Sequence, residues 1–145
     1  VHLSATDASA EALQLAVENV VGHGVADLID LRLADLLEPP PGTPVDLLVA
    51  NLPYIPTADL PGLPVAASFE PRLALDGGAD GLALVRRLVA GLPGVLAPEG
   101  TAMLEIGATQ ADSLRALVQE RLPGWPVAVQ ADLSGEPRVA LLERP

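Results

Sequence analysis

Val45-Asp46-Leu47-Leu48-Val49-Ala50 runs without interruption into Asn51-Leu52-Pro53-Tyr54. A nearly continuous apolar run of this length, closed by a proline-containing turn, is the pattern of a strand buried on both faces of a parallel sheet. An Asn just past such a strand stands at its carboxyl end, where open α/β sheets bind their ligands. On both sides of this stretch, strand and helix patterns alternate.

Upstream, His2–Thr6 reads as a short strand ending at Asp7. Ser9 is placed to cap a helix with Glu11 in its first turn. Leu13, Val17, Val20 and Val21 recur on one face of that helix, and Gly22 and Gly24 end it. Ala26–Leu33 reads as a second strand, ending near Asp35, and Glu38-Pro39-Pro40-Pro41-Gly42 is a loop. Downstream, residues 55–78 form a long irregular segment carrying Pro56, Pro61, Pro64 and Pro71. Segments of this kind in compact domains are usually functional. Asp80 is placed to cap a helix whose face is Leu82, Val85, Val89 and Leu92, closed by Gly94 and Pro98. Thr101–Ile106 is a strand. Thr109 with Asp112 has the spacing of a capping box for a helix with Leu114, Leu117, Val118 and Leu122 inward. Val127–Ala131 and Arg138–Glu143, joined at Ser134-Gly135, read as a closing antiparallel hairpin. The pattern predicts one α/β domain over residues 1–145, with a mostly parallel sheet.

Half of the 145 residues are apolar, which excludes a disordered chain. No apolar run reaches the roughly 20 residues of a membrane span, and Val1–Ser4 has no basic start like that of a signal peptide. No membrane association is expected. The chain does not begin with Met, so something is expected to precede it. Cysteine is absent, which excludes disulfides, thiolate metal sites and a cysteine nucleophile. With only His2 and His23 beside it, no metal is expected, and the setting predicted is cytoplasmic. The net charge is −11 and Lys is absent, whereas nucleic-acid binders carry basic patches. The charge reads as solubility or as attraction to a basic partner. Tyr54, Phe69 and Trp125 are the only aromatic residues, and Trp125 is expected in the core.

Three polar groups fall at predicted strand ends: Asp7, Asp35 and Asn51. An amide or amino nitrogen bearing two hydrogens needs two acceptors. The Asn51 side-chain oxygen can be one, and a backbone carbonyl in the proline-stiffened turn the other. Tyr54 can stack on the flat group carrying that nitrogen. The plain alternative is a turn that closes a strand. Asp7 can accept both hydroxyls of a ribose, or serve as a local cap. Asp35 can approach an adenine edge with Leu36 on the ring face, or be a solvated loop acid. Glu105, an acid inside the apolar strand Met103-Leu104-Glu105-Ile106, has no chemical role assigned.

At Asn51-Leu52-Pro53-Tyr54-Ile55-Pro56 the chain resembles the HemK/PrmC release-factor glutamine methyltransferases, whose motif is Asn-Pro-Pro-Tyr. The run Phe69-Glu70-Pro71-Arg72-Leu73-Ala74-Leu75-Asp76-Gly77-Gly78-Ala79-Asp80-Gly81-Leu82 is similar to that family's stretch after the motif. Leu104–Gly107, Asp132–Gly135 with Arg138-Val139, and Ala5–Ser9 with Glu11–Leu13 resemble its further signatures. The resemblance implies a Rossmann-like class I methyltransferase fold with S-adenosylmethionine as donor. The acceptor it implies is the glutamine amide in the Gly-Gly-Gln loop of peptide-chain release factors. Asp7 would hold the ribose, Asp35 and Leu36 would border the adenine, and Asn51, Leu52, Pro53 and Tyr54 would clamp the glutamine, with Asn51 also bordering the cofactor.

Two departures qualify this. Leu52 stands where the family has a proline, and the family's first strand and glycine-rich loop are not found and would lie before Val1. Such a chain reads as an N-terminally truncated catalytic domain with little or no activity of its own. Three rival readings remain. A DNA or ribosomal-RNA amino-methyltransferase shares the Asn motif, and the charge of −11 and Phe69–Leu82 oppose it. A non-catalytic interaction module would explain the missing loop, and the intact Asn51–Tyr54 opposes it. A nicotinamide dehydrogenase would use Asp7 and leaves Asn51 unexplained.

Overall fold

A computed structural model describes residues 2–37 and 42–145, so most of the proline loop at 38–41 lies outside the described residues. The chain divides into two compact units, Val1–Pro41 and Gly42–Pro145.

Unit 1 holds strand β1 (Leu3–Asp7), helix α1 (Ala10–Gly22) and strand β2 (Ile29–Leu33). The two strands pair in parallel, with Asp7 opposite Leu33. The second strand is shorter than its sequence pattern, because Ala26–Leu28 forms a 3-10 turn before it. Ser9 caps α1 as expected, its hydroxyl accepting the Ala12 N–H at 3.1 Å. The expected apolar stripe of α1 is not a core: Val17 is 49% and Val21 63% exposed, and no residue of the helix is buried. Ala34 is the one buried residue among those described in this unit. Two five-residue strands and one helix offer too little surface to close a core by themselves.

Unit 2 is a four-stranded sheet in the order β3 (Val45–Ala50), β4 (Leu96–Glu105), β6 (Pro137–Glu143), β5 (Val127–Ala131). β3 and β4 are parallel, while β4–β6 and β6–β5 are antiparallel, as the predicted hairpin requires. The long segment after β3 contains 3-10 turns at Leu60–Gly62 and Val65–Phe69 and the single-turn helix α2 (Arg72–Leu75). Helix α3 (Ala83–Val95) and helix α4 (Ala111–Arg121) supply the core with Val85, Leu88, Val89, Leu92, Leu114, Leu117 and Val118. Ala102 and Leu104 of β4, Ile106 just beyond it, and Ala140 and Leu142 of β6 meet them, alternating with less buried neighbours along each strand.

Further expectations are corrected in this unit. β3 is not buried on both faces: Leu47 is 55% and Val49 72% exposed, two residues of one face that the described residues leave largely uncovered, and among the described residues β4 is its one strand partner. β4 starts at Leu96, straight out of α3, rather than at Thr101. α3 runs to Val95, past the expected stop, and carries Pro93 in its last turn. α4 begins without a capping box, since Gln110 is its N-cap and makes no side-chain cap bond. Trp125, expected in the core, is only partly buried.

Candidate functional site

The predicted site residues fall in both units. In unit 1, Asp7 ends β1 and is exposed. Its Oδ1 accepts the Ser9 N–H at 2.8 Å, which leaves the remaining lone pairs of the carboxylate turned to solvent. The Asp7 carbonyl accepts the Ala34 N–H at 3.0 Å, so Asp7 and Asp35 stand at the same end of adjacent parallel strands. Asp35 is exposed and Leu36 half-buried. Leu36 has φ +58°, a left-handed conformation uncommon for a leucine. Backbone held that way in a side chain without special tolerance for it is a mark of a constrained turn.

In unit 2, Asn51 follows β3 directly and is exposed, whereas Leu52, Pro53 and Tyr54 are half-buried. Among the described residues no hydrogen bond engages the Asn51 amide or the Leu52 carbonyl. The turn is shaped from below by the loop at 76–81. Ile55 donates to the Leu75 carbonyl at 3.2 Å and accepts from Gly77 N–H at 2.8 Å, while Thr57 N–H donates to Gly78 at 2.9 Å. A Cβ on Gly77 would come within 2.6 Å of the Pro53 carbonyl oxygen, and one on Gly81 would collide with the Tyr54 carbonyl oxygen. Gly81 also has φ +74°, so glycine is required there on two counts. This is the physical content of the Leu75–Leu82 signature: it is the bed of the Asn51–Tyr54 turn.

Acids fix that bed. Asp76 accepts from the Thr57 hydroxyl at 2.6 Å, the Gly78 N–H at 3.0 Å and the Arg72 guanidinium. The Thr57 hydroxyl foremost, then the Gly78 N–H and Arg72, holds its carboxyl below the usual range. Asp80 pairs with Arg86 through both oxygens and accepts the Leu82 N–H at 3.1 Å, so it fixes the entry to α3 without being its N-cap. Arg86 foremost lowers its pKa to about 2.

Glu105 and Gln110 are the residues that sequence reasoning missed. The Tyr54 hydroxyl donates to Glu105 Oε1 at 3.1 Å. Burial first, and then the Glu105 carboxylate, pushes the phenol above its ordinary value, with Arg138 opposing. Arg138 donates to the Ile106 carbonyl at 3.2 Å and to Asp132 at 3.3 Å. Asp132 also collects the Ser134 and Glu136 N–H groups, so the Asp132–Arg138 signature is a hairpin turn tied to the end of β4. The signal for Glu105 was present, an acid alone in an apolar strand; nothing in the local sequence marks Gln110.

No protein-family model matches the chain. It is 50% identical over 115 residues to a release factor glutamine methyltransferase of Moorella thermoacetica, covering 79% of this chain and 41% of that protein. A ribosomal protein uL3 glutamine methyltransferase of Bordetella pertussis is 41% identical over 124 residues, 86% of this chain and 41% of its own length. A release factor glutamine methyltransferase of Cereibacter sphaeroides is 40% identical over 145 residues, 99% of this chain and 51% of its own length. The chain thus spans about half the length of these curated relatives. The fold is similar to that of a ribosomal protein L11 methylase from Lactobacillus delbrueckii subsp. bulgaricus, at TM-score 0.67 and 19% identity, covering 99% of this chain and 58% of that one. It is also similar to TrmN from Thermus thermophilus, at TM-score 0.63 and 21% identity over 99% of this chain and 36% of that one. The fold is that of class I S-adenosylmethionine-dependent methyltransferases, as the family resemblance implies. By sequence the chain is similar to release factor and ribosomal protein uL3 glutamine methyltransferases, over about half the length of each.

Proposed function

We propose that the chain carries the acceptor clamp and part of the donor site of a methyltransferase acting on the glutamine side chain of the Gly-Gly-Gln loop of release factors, in the cytoplasm. The observation that carries this is the Asn51–Tyr54 turn: two unengaged acceptors held on a glycine bed at the carboxyl end of β3. The identity of 50% to a release factor methyltransferase supports the acceptor class.

S-adenosylmethionine would supply a methyl group on a sulfonium. The residues present fit it: Asp7 is exposed at a parallel strand end with acceptor capacity left for a ribose diol. Asp35 and Leu36 follow the neighbouring strand and suit an adenine edge and face. Asn51 Oδ1 and the Leu52 carbonyl each accept one N–H of the glutamine amide, which turns its nitrogen lone pair outward. Tyr54 offers its ring to the flat amide while Glu105 holds its hydroxyl. A neutral nitrogen sheds its proton only as it becomes positive, so no strong base is needed and positioning carries the rate.

The test uses the Moorella thermoacetica relative with its 115 matching residues exchanged for those of this chain. Labelled methyl transfer to the Gly-Gly-Gln glutamine is expected, with a loss of about 100-fold or more in Asn51→Ala, the size seen when one preorganised transition-state donor or acceptor is removed. A folded exchange protein that methylates nucleic acid, or that is indifferent to Asn51, overturns the reading. Because one relative is named for uL3, that protein is offered in parallel; transfer to it alone would reassign the acceptor while keeping the clamp.

A further inference from the structure

We propose that Gln110 is a positioning residue of the acceptor clamp, its buried amide fixing the Tyr54 carbonyl and thereby the attitude of the whole Asn51–Tyr54 turn. The proposal rests on reading that turn as a clamp. Gln110 stands where a helix would ordinarily place a capping side chain, yet it caps nothing. Its side chain turns inward, and the residue is 6% exposed. Oε1 accepts the Gly107 N–H at 2.8 Å, and Nε2 donates to the Tyr54 carbonyl at 2.9 Å and to the Asp80 carbonyl at 3.3 Å. The three partners lie on three segments: the end of β4, the turn after β3 and the loop before α3. An amide alone among neutral side chains offers an acceptor and two donors at this reach.

Within the turn only Pro53 restrains its own φ. Asn51, Leu52 and Tyr54 do not, so the shape of the turn depends on anchors outside it. Tyr54 has two: Gln110 at its carbonyl and Glu105 at its hydroxyl. The anchors share a foundation, because Glu105 and Gly107 flank Ile106, whose own carbonyl is held by Arg138. Gly81 completes the arrangement by letting the Tyr54 carbonyl lie close against its backbone, where Gln110 Nε2 also reaches. Removing the amide leaves the Gly107 N–H and the Tyr54 and Asp80 carbonyls without this part-buried partner, and so loosens one of the two anchors of Tyr54.

The chain has one tyrosine and one tryptophan, so each reports a single place. The experiment is an absorbance titration of the Tyr54 phenol in the 145-residue chain, in Gln110→Met and in Gln110→Asn, with Trp125 emission and thermal melting as controls. Burial and Glu105 hold the parent phenol above its ordinary value. If Gln110 seats Tyr54, Gln110→Met shifts the titration downward while the controls stay native-like. Gln110→Asn, whose amide falls one methylene short, shifts it part of the way. A folded Gln110→Met or Gln110→Asn with the parent titration overturns the proposal. Collapse of both variants, with Trp125 emission lost, also overturns it, since Gln110 would then serve the fold and not the turn. The measurement needs neither methyl donor nor acceptor, so failure of the methyltransferase reading leaves its outcome distinct.

Discussion

β1 ends in a polar residue of the candidate site and β3 runs directly into one, and they hold it in opposite ways. β1 offers Asp7 with one backbone N–H behind it, in a unit where Ala34 is the one buried residue among those described. β3 offers Asn51–Tyr54 on a bed of glycines, with a buried amide under one carbonyl and a carboxylate at the tyrosine tip. The difference matches the chemistry proposed for each. A ribose is gripped by a charge whose two oxygens tolerate several approaches. An amide nitrogen must be aimed, and aiming needs a rigid support.

Substitutions can break or sharpen this contrast. The largest effect is expected in the core of unit 2: Leu92→Ala, at a fully buried position of α3, should cost about 4 kcal/mol. Leu15→Ala, 59% exposed in α1, should change stability by under about 0.5 kcal/mol. Denaturant titration followed by Trp125 emission and by helical circular dichroism reads both, and equal costs would erase the contrast. The paired glycines come next. Gly81→Ala meets the Tyr54 carbonyl and should cost about 3 kcal/mol, whereas Gly24→Ala, with φ +68° and open space around it, should cost about 1 kcal/mol of backbone strain. A Gly81→Ala melt close to that of Gly24→Ala would mean that the bed yields. The smallest effect is electrostatic. Asp80 has a folded pKa of about 2 against an ordinary 3.8, so its contribution is present above pH 3.8 and is lost as pH falls through about 2. Its pair with Arg86 is about half exposed, so screening leaves it about 0.5 kcal/mol. The parent should lose that much more than Asp80→Asn between pH 4 and 2; an identical loss in both would assign the acid sensitivity elsewhere.

Much of this was legible in the residues. Ser9 announces the start of α1, Leu114, Leu117 and Val118 announce the inner face of α4, and the closing hairpin is read from Val127–Ala131 and its turn. Local periodicity and capping chemistry act within a few residues, so the chain states them directly. The strand-end positions of Asp7 and Asn51 follow from the same rules. The errors lie where a local pattern depends on a distant partner. VDLLVA has the composition of a doubly covered strand, yet coverage is a property of what packs on each face, and the face of Leu47 and Val49 stays largely exposed. Thr109 and Asp112 have cap spacing, yet Gln110 takes the cap position because its side chain finds three backbone groups in the interior.

The amino-acid sequence by itself determined the alternation of strands and helices, the family likeness and the candidate clamp residues proposed above, since each of these is written in contiguous stretches. Only the tertiary structure decided what holds the clamp. Glu105 and Gln110 lie 51 and 56 residues from Tyr54, and the bonds that join them exist only when β4, α4 and the glycine bed converge on one turn. A hydrogen bond is fixed by distance and angle in space, and separation along the chain carries no trace of it.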